Sequence, residues 1–159
     1  MSKEILEDFY TAFNNLDANT MTSLYHDDIV FEDPAFGILK GEKAKALWQM
    51  LCESQKGKDF KVVHSNIDSE NDIGSAHWEA FYTFSKTGRK VHNKIDANFE
   101  FKDGLIVKHT DVFNLYKWAR QAMGFKGLLL GGFSFFKSKL NQQTNRLLEK
   151  YMNEKKLSR

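Results

Sequence analysis

The chain has one cysteine and one proline in 159 residues. A lone Cys52 excludes an intramolecular disulfide framework and a multi-cysteine zinc site. Long apolar runs are missing as well. The nearest, "GLLLGGF", falls well short of the roughly 18 residues that a membrane-spanning helix needs, so no membrane span is expected. The opening "MSKEILEDFY" lacks the basic start and unbroken apolar stretch of a signal peptide, and a soluble, cytoplasmic protein is the expectation. Charge of one sign is not in excess either. Twenty-three Lys and Arg face 21 Asp and Glu, a net charge of +2, so the basic footprint selected by phosphate backbones is absent and nucleic acid is not an expected partner. There is no GxSxG, no phosphate-cradling glycine loop and no histidine spacing of metal-ligand type, and neither a metal nor a cofactor is expected.

What is abundant is aromatic: 14 Phe, 5 Tyr and 3 Trp, a load suited to a large core or an apolar pocket. Ile5, Leu6, Phe9, Tyr10 and Phe13 recur at helical spacing and predict an amphipathic helix from Lys3 to about Asn15. Asp17 and Asn19 then cap a short helix with apolar Met21, Leu24 and Tyr25. A strand "IVFEDP" follows, with Ile29, Phe31 and Asp33 on one face, ended by Pro34. Glu42 to about Glu53 reads as a third helix with Ala44, Leu47, Trp48, Leu51 and Cys52 along one side.

Four strands are expected next: Phe60 to Ile67, Ser75 to Ser85, Lys90 to Lys102 and Leu105 to Leu115. The short turns "SENDIG", "SKTGR" and "KDG" make them sequential antiparallel neighbours. In the third, the odd positions from Val91 to Phe101 bury one face. In "GLIVKHTDVF", alternation that turns Leu105, Val107 and Phe113 inward turns His109 and Asp111 inward with them. For the second, apolar content favours the face of Trp78, Ala80, Tyr82 and Phe84 over that of His77 and Glu79. Two further helices are expected, around Trp118 to Met123 and from Phe136 to Tyr151, flanking the glycine-rich "GFKGLLLGGF". Helices followed by a curved antiparallel sheet read as α+β. Residues 1–123 are taken as the pocket domain, and 124–159 as an apolar strap and C-terminal helix belonging to it.

Two motifs, "YHDDIVFEDPAFG" with the helix after it and "FEFKDGLIVKHTDVFNLY" at the last strand, make Lys3 to about Met123 resemble the nuclear transport factor 2-like superfamily. That superfamily includes ketosteroid isomerase, limonene epoxide hydrolase and the SnoaL-like polyketide cyclases. The resemblance implies a cone-shaped α+β barrel enclosing an apolar pocket, in a homodimer paired through the sheet. It sets Asp33 at the general base of the isomerase and Asp111 at an acid or base carboxylate of the hydrolase. Phe9, with Tyr10 adjacent, falls at the isomerase tyrosine, and Ala97 or Asp96 at its second donor. His77 and Glu79 fall nearest the hydrolase arginine and second aspartate, and Asn114 stands at another aspartate.

A carboxyl in an apolar cavity has its pKa raised into the range where it exchanges protons with a carbon acid or activates water. Asp33 and Asp111 are the candidates, with His109 two residues from Asp111 to orient it or share its proton. Simpler roles stand beside these: Asp33 before Pro34 as a turn former, and Asp111 as a structural partner of His109. Tyr10, Trp48, Tyr82 and Phe113 are candidates to line a site for a small apolar ligand, or to be plain core. The expected function is a cofactor-independent isomerase, cyclase or hydrolase; the alternative is a non-catalytic binding or interaction module of the same fold.

Overall fold

The structure is a computed structural model that describes residues 1–124 and 133–157. The helix α1 (Ser2–Asn14) buries Leu6, Phe9, Tyr10 and Phe13, the stripe its periodicity demands. α2 (Ala18–Ser23) starts where the Asp17 carboxylate accepts the Thr20 backbone N–H at 3.1 Å and the Thr20 hydroxyl at 2.6 Å. Tyr25, expected on that helix, instead opens strand β1 (Tyr25–Asp33).

A short strand absent from the sequence reading, β2 (Gly37–Lys40), folds back on β1. Its entry is Gly37, whose φ of +74° is open to glycine and strained for other residues. The helix α3 (Glu42–Gln55) buries Ala44, Leu47, Trp48 and Cys52. The meander follows as expected: β3 (Lys61–Glu70), β4 (Ile73–Phe84), β5 (Arg89–Lys102) and β6 (Leu105–Val112). β6 is shorter than expected, because Asn114 leaves it to cap α4 (Leu115–Met123), accepting the Lys117 N–H at 3.0 Å. The long α5 (Phe133–Leu157) closes the described chain. The apolar strap ahead of it, 125–132, lies outside the described residues.

The strand order is β2-β1-β6-β5-β4-β3. Every pairing is antiparallel except β1 with β6, which is parallel, so the sheet is mixed rather than antiparallel throughout. It is not closed into a barrel: β2 and β3 remain as edges, and the helices cover one face in the expected α+β arrangement.

Inward positions follow alternation closely. Trp78 and Ala80 are buried on β4, while His77 and Glu79 lie on the opposite face. On β6 the premise fails but the outcome holds. Ile106 is buried with nothing exposed, Val107 is not, and the register slips between Lys108 and Ile106. This bulge resets the alternation, so His109 and Asp111 still face the core.

Candidate active site

His109 is wholly buried within an aromatic shell. Phe99, Phe31 and Phe9 approach it with ring centroids at 4.4, 5.1 and 5.5 Å, and the Trp48 indole lies parallel to it at 5.8 Å. A buried imidazole needs partners for both nitrogens. Nδ1 lies 2.7 Å from the Tyr25 hydroxyl, and Nε2 lies 2.9 Å from Asp111 Oδ1. The Tyr25 oxygen also accepts the Trp48 indole N–H at 2.8 Å, and Asp111 Oδ1 accepts the Trp78 indole N–H at 3.2 Å.

Donor counting assigns the protons along this chain. Indole N–H groups can only donate, so the single Tyr25 hydroxyl proton has Nδ1 of His109 as its acceptor. His109 then carries its proton on Nε2 and gives it to Asp111, a neutral imidazole serving a carboxylate. Burial, followed by the Asp111 charge, holds the Tyr25 phenol well above its ordinary pKa, so it stays a donor.

Asp33 reaches the same place from β1. Phe31 pairs with His109 and Glu32 with Thr110, so the next positions along these parallel strands are Asp33 and Asp111. Adjacent strands lie about 4.8 Å apart, which makes the two carboxyls neighbours. Asp33 Oδ1 accepts the N–H groups of Ala35 and Phe36 at 3.0 and 2.6 Å. The turn-forming role and the inward placement therefore coexist. Burial is the largest influence on Asp33 and the nearby Asp111 charge adds to it; against the lowering effect of the two N–H groups, its pKa rises from 3.8 to about 7. In both carboxyls the hydrogen bonds converge on Oδ1, and Oδ2 has no hydrogen-bond partner among the described residues.

A cavity of about 550 Å³ opens beside this pair, within the size range of small-molecule sites. Asp33, Asp111, Trp48, Tyr82 and Phe113 all line it, as do Trp78 and Trp118. The exposed lining residues Lys86, Gln143, Lys150 and Glu154 mark its opening. The Tyr82 hydroxyl accepts the Trp118 indole N–H at 2.7 Å and retains its own proton for an acceptor in the cavity.

Two sequence candidates are placed elsewhere. His109 stands behind Asp111, off the cavity wall, where it can act only through the carboxylate. Tyr10 is wholly buried in the core, tilted against Trp78 at 5.9 Å, and its hydroxyl has no partner among the described residues. It does not line the cavity.

Three features of the site escaped sequence reasoning. Asn93 lines the cavity from β5, and a signal for it exists, since it is the only polar residue among the inward positions Val91 to Phe101. Tyr25 gave none, because it reads as helical. The helix α5 supplies Leu140, Thr144, Leu147 and Tyr151 to the wall, a placement that periodicity alone does not specify. Among the described residues, no group of three or more His, Cys, Asp or Glu is placed to hold a metal ion, and no helix is long and apolar enough to cross a membrane.

Several solved structures share the fold. An LEH-like epoxide hydrolase from M. tuberculosis is 21% identical, with a TM-score of 0.61, covering 80% of this chain and 93% of its own. A nuclear transport factor 2-like protein of unknown function from Burkholderia pseudomallei is 15% identical, with a TM-score of 0.64, covering 77% and 99%. A protein provisionally named a polyketide cyclase from Pseudomonas putida is 19% identical, with a TM-score of 0.61, covering 77% and 98%. At these identities the likeness is one of fold. No curated protein matches the chain significantly. The model of the SnoaL-like domain matches residues 6–109, well over half of the sequence, and the chain belongs to that family.

Proposed function

We propose that the chain is a cofactor-independent enzyme that moves protons on a small, largely apolar molecule bearing a carbonyl, as an isomerase or cyclase does. The observation that carries this reading is the carboxyl pair: Asp33 and Asp111 are cross-strand neighbours on the cavity wall, each with Oδ1 held by N–H donors. Two adjacent carboxyls in an apolar site share one proton more readily than both ionise.

With its pKa raised to about 7, Asp33 is the acid of the pair near neutral pH. Asp111, used only as an acceptor by His109 and Trp78, is the base. In the proposed step, Asp111 Oδ2 takes a proton from the carbon next to the carbonyl while Asp33 donates one to the carbonyl oxygen, giving an enol. Where a carbon–carbon double bond flanks that carbon the enol is a dienol, and return of its hydroxyl proton to Asp33 with delivery of the Asp111 proton to the far carbon of that double bond completes an isomerisation with no net loss of atoms. Tyr82 donates to a second oxygen, and the aromatic wall binds the rest of the molecule. His109 holds Asp111 in position without touching the substrate. The reading includes a homodimer through the outer sheet face, where Val63, Phe81 and Val112 are exposed; sedimentation of the purified protein tests that part.

The experiment is a thermal-shift screen of the wild type, Asp33→Asn and Asp111→Asn against cyclic ketones, sterols and aromatic polyketides, followed by deuterium incorporation from heavy water into any hit. A ligand at about a hundred times its dissociation constant adds roughly 2.7 kcal/mol of stability, a shift of several degrees. Deuterium uptake at the carbon next to the carbonyl in the wild type, lost in both variants, is the expected result. Ligands that bind all three proteins with no wild-type exchange would leave a non-catalytic binding module as the better account.

A further inference from the structure

Three side chains of α5, spaced i, i+3 and i+4 on one helical face, reach three consecutive carbonyls of the turn that carries Asp33. Asn141 Nδ2 donates to Pro34 O at 3.0 Å, Thr144 Oγ1 to Ala35 O at 2.8 Å and Asn145 Nδ2 to Phe36 O at 2.9 Å. The N–H groups of Ala35 and Phe36 are already given to Asp33 Oδ1. The turn is thus held by its own carboxyl on one side and by α5 on the other. Packing there is close: a Cβ added at Gly37 would come within 3.0 Å of Asn141 Oδ1. The helix is itself anchored, with Leu148 buried in the main core and Lys155 ion-paired with Glu53 of α3 at 2.9 Å. The SnoaL-like match ends at residue 109, so α5 is an addition to the part of the chain that the family defines.

We propose that Asn141, Thr144 and Asn145 are positioning residues that hold the Asp33 turn, keeping this carboxyl out of bulk water with Oδ2 aimed into the cavity. The proposal rests on the acid–base reading of Asp33 and extends it to a helix outside the family domain. The groups facing Asp33 are Asp111 from β6, Glu32 on its own strand and Tyr82 from β4, while α5 contributes Lys150, Tyr151 and Glu154 to the same cavity wall. Releasing the turn admits water to Asp33, and because burial is the largest influence on it, its titration midpoint falls.

The test compares the full-length wild type with Thr144→Val, Thr144→Val/Asn145→Leu and Thr144→Ser, following two NMR signals: the Asp33 carboxyl carbon through a pH titration, and amide hydrogen exchange at Ala35 and Phe36. Losing one hydrogen bond across the latch should speed exchange at these two amides roughly tenfold, leaving Leu39 on β2 unchanged. The Asp33 midpoint should fall by about one unit or more in the double variant, and Thr144→Ser should match the wild type in both signals. Exchange rates equal to the wild type in Thr144→Val, or one Asp33 midpoint common to all four proteins, overturns the positioning role. A wild-type midpoint at the ordinary carboxylate value would instead sink the acid–base reading, with the exchange rates still deciding whether α5 holds the turn.

Discussion

Tyr25 and His109, 84 positions apart in sequence, are joined by a 2.7 Å hydrogen bond that no solvent reaches. Tyr25 is also the acceptor for the Trp48 indole. Removing its oxygen in Tyr25→Phe therefore strands two buried polar groups at once. A stranded buried donor or acceptor costs about 1–3 kcal/mol, so the variant should lose roughly 3 kcal/mol in urea denaturation. A loss under about 1 kcal/mol would mean that this relay does not hold His109.

Asp111→Asn tests the carboxyl pair through the other partner. The Asn oxygen still accepts from His109 and Trp78, so the fold survives. Its negative charge is gone, and with it one of the influences that raise Asp33. The Asp33 midpoint should drop below about 7 yet stay above 3.8, since burial, the larger influence, is untouched. An unchanged midpoint would separate the two carboxyls.

Stability should depend on pH in a direction set by Asp33. Its folded pKa, about 7, lies above its unfolded value of 3.8, so its contribution is fully present below 3.8 and is lost as pH rises through 7. Ionising this group works against the folded state. Asp33→Asn keeps the acceptor for Ala35 and Phe36 and cannot ionise. It should match the wild type in melting temperature at acid pH and exceed it at pH above 7, the gain in unfolding free energy being at most about 4 kcal/mol from the size of the shift. Equal melting temperatures across that range would show that Asp33 is not buried as a titrating group.

On the outer sheet face a different network gives the opposite dependence at its acid end. His77 Nδ1 lies 2.8 Å from Asp96 Oδ1 and its Nε2 lies 3.1 Å from Glu79 Oε2, while His92 Nε2 lies 2.6 Å from Glu79 Oε1. Asp96 foremost, with Glu79, raises the His77 pKa above 6.5; His92 foremost, with His77, lowers the Glu79 pKa below 4.5. The His77 contribution is present below 6.5 and lost as pH rises through its raised value. The Glu79 contribution is present above 4.5 and lost as pH falls through its lowered value. Both operate between these limits, so Glu79→Gln should lower the melting temperature there and flatten its fall on either side, below 4.5 and above 6.5. A profile identical to the wild type would show that solvent screens the network fully.

Much of this was legible in the residues. Alternation and turn chemistry gave the meander, and the inward placement of Trp78 over His77 followed from apolar content alone. A carboxylate at the end of an apolar strand face is costly unless something uses it, and that cost marks Asp33 and Asp111 in the sequence. What could not be read was non-local. No local signal makes β1 run parallel to β6, since the two are joined through the whole intervening sheet, and that pairing is what sets Asp33 beside Asp111. Tyr25 reads as an apolar helical residue until tertiary pairing draws it into a strand. The bulge at Val107 hides for the same reason: a period-2 pattern cannot show an extra residue that the partner strand does not share. Tyr10 has the chemistry of a site residue, but its hydroxyl stays in the core.

The parallel pairing of β1 with β6 has a consequence for the order in which the molecule assembles. Asp33 and Asp111 are 78 positions apart (111 − 33 = 78), and the strands bearing them meet only after β2, α3 and three more strands have been laid down. Closing so long a loop is slow compared with forming the local hairpins of β3 to β6. During synthesis, a chain that has not yet released β6 carries an unpaired inner edge on β1 as well as on β5. The last strand to arrive therefore closes two gaps in one event, and until it does the nascent chain has neither a carboxyl pair nor a continuous sheet.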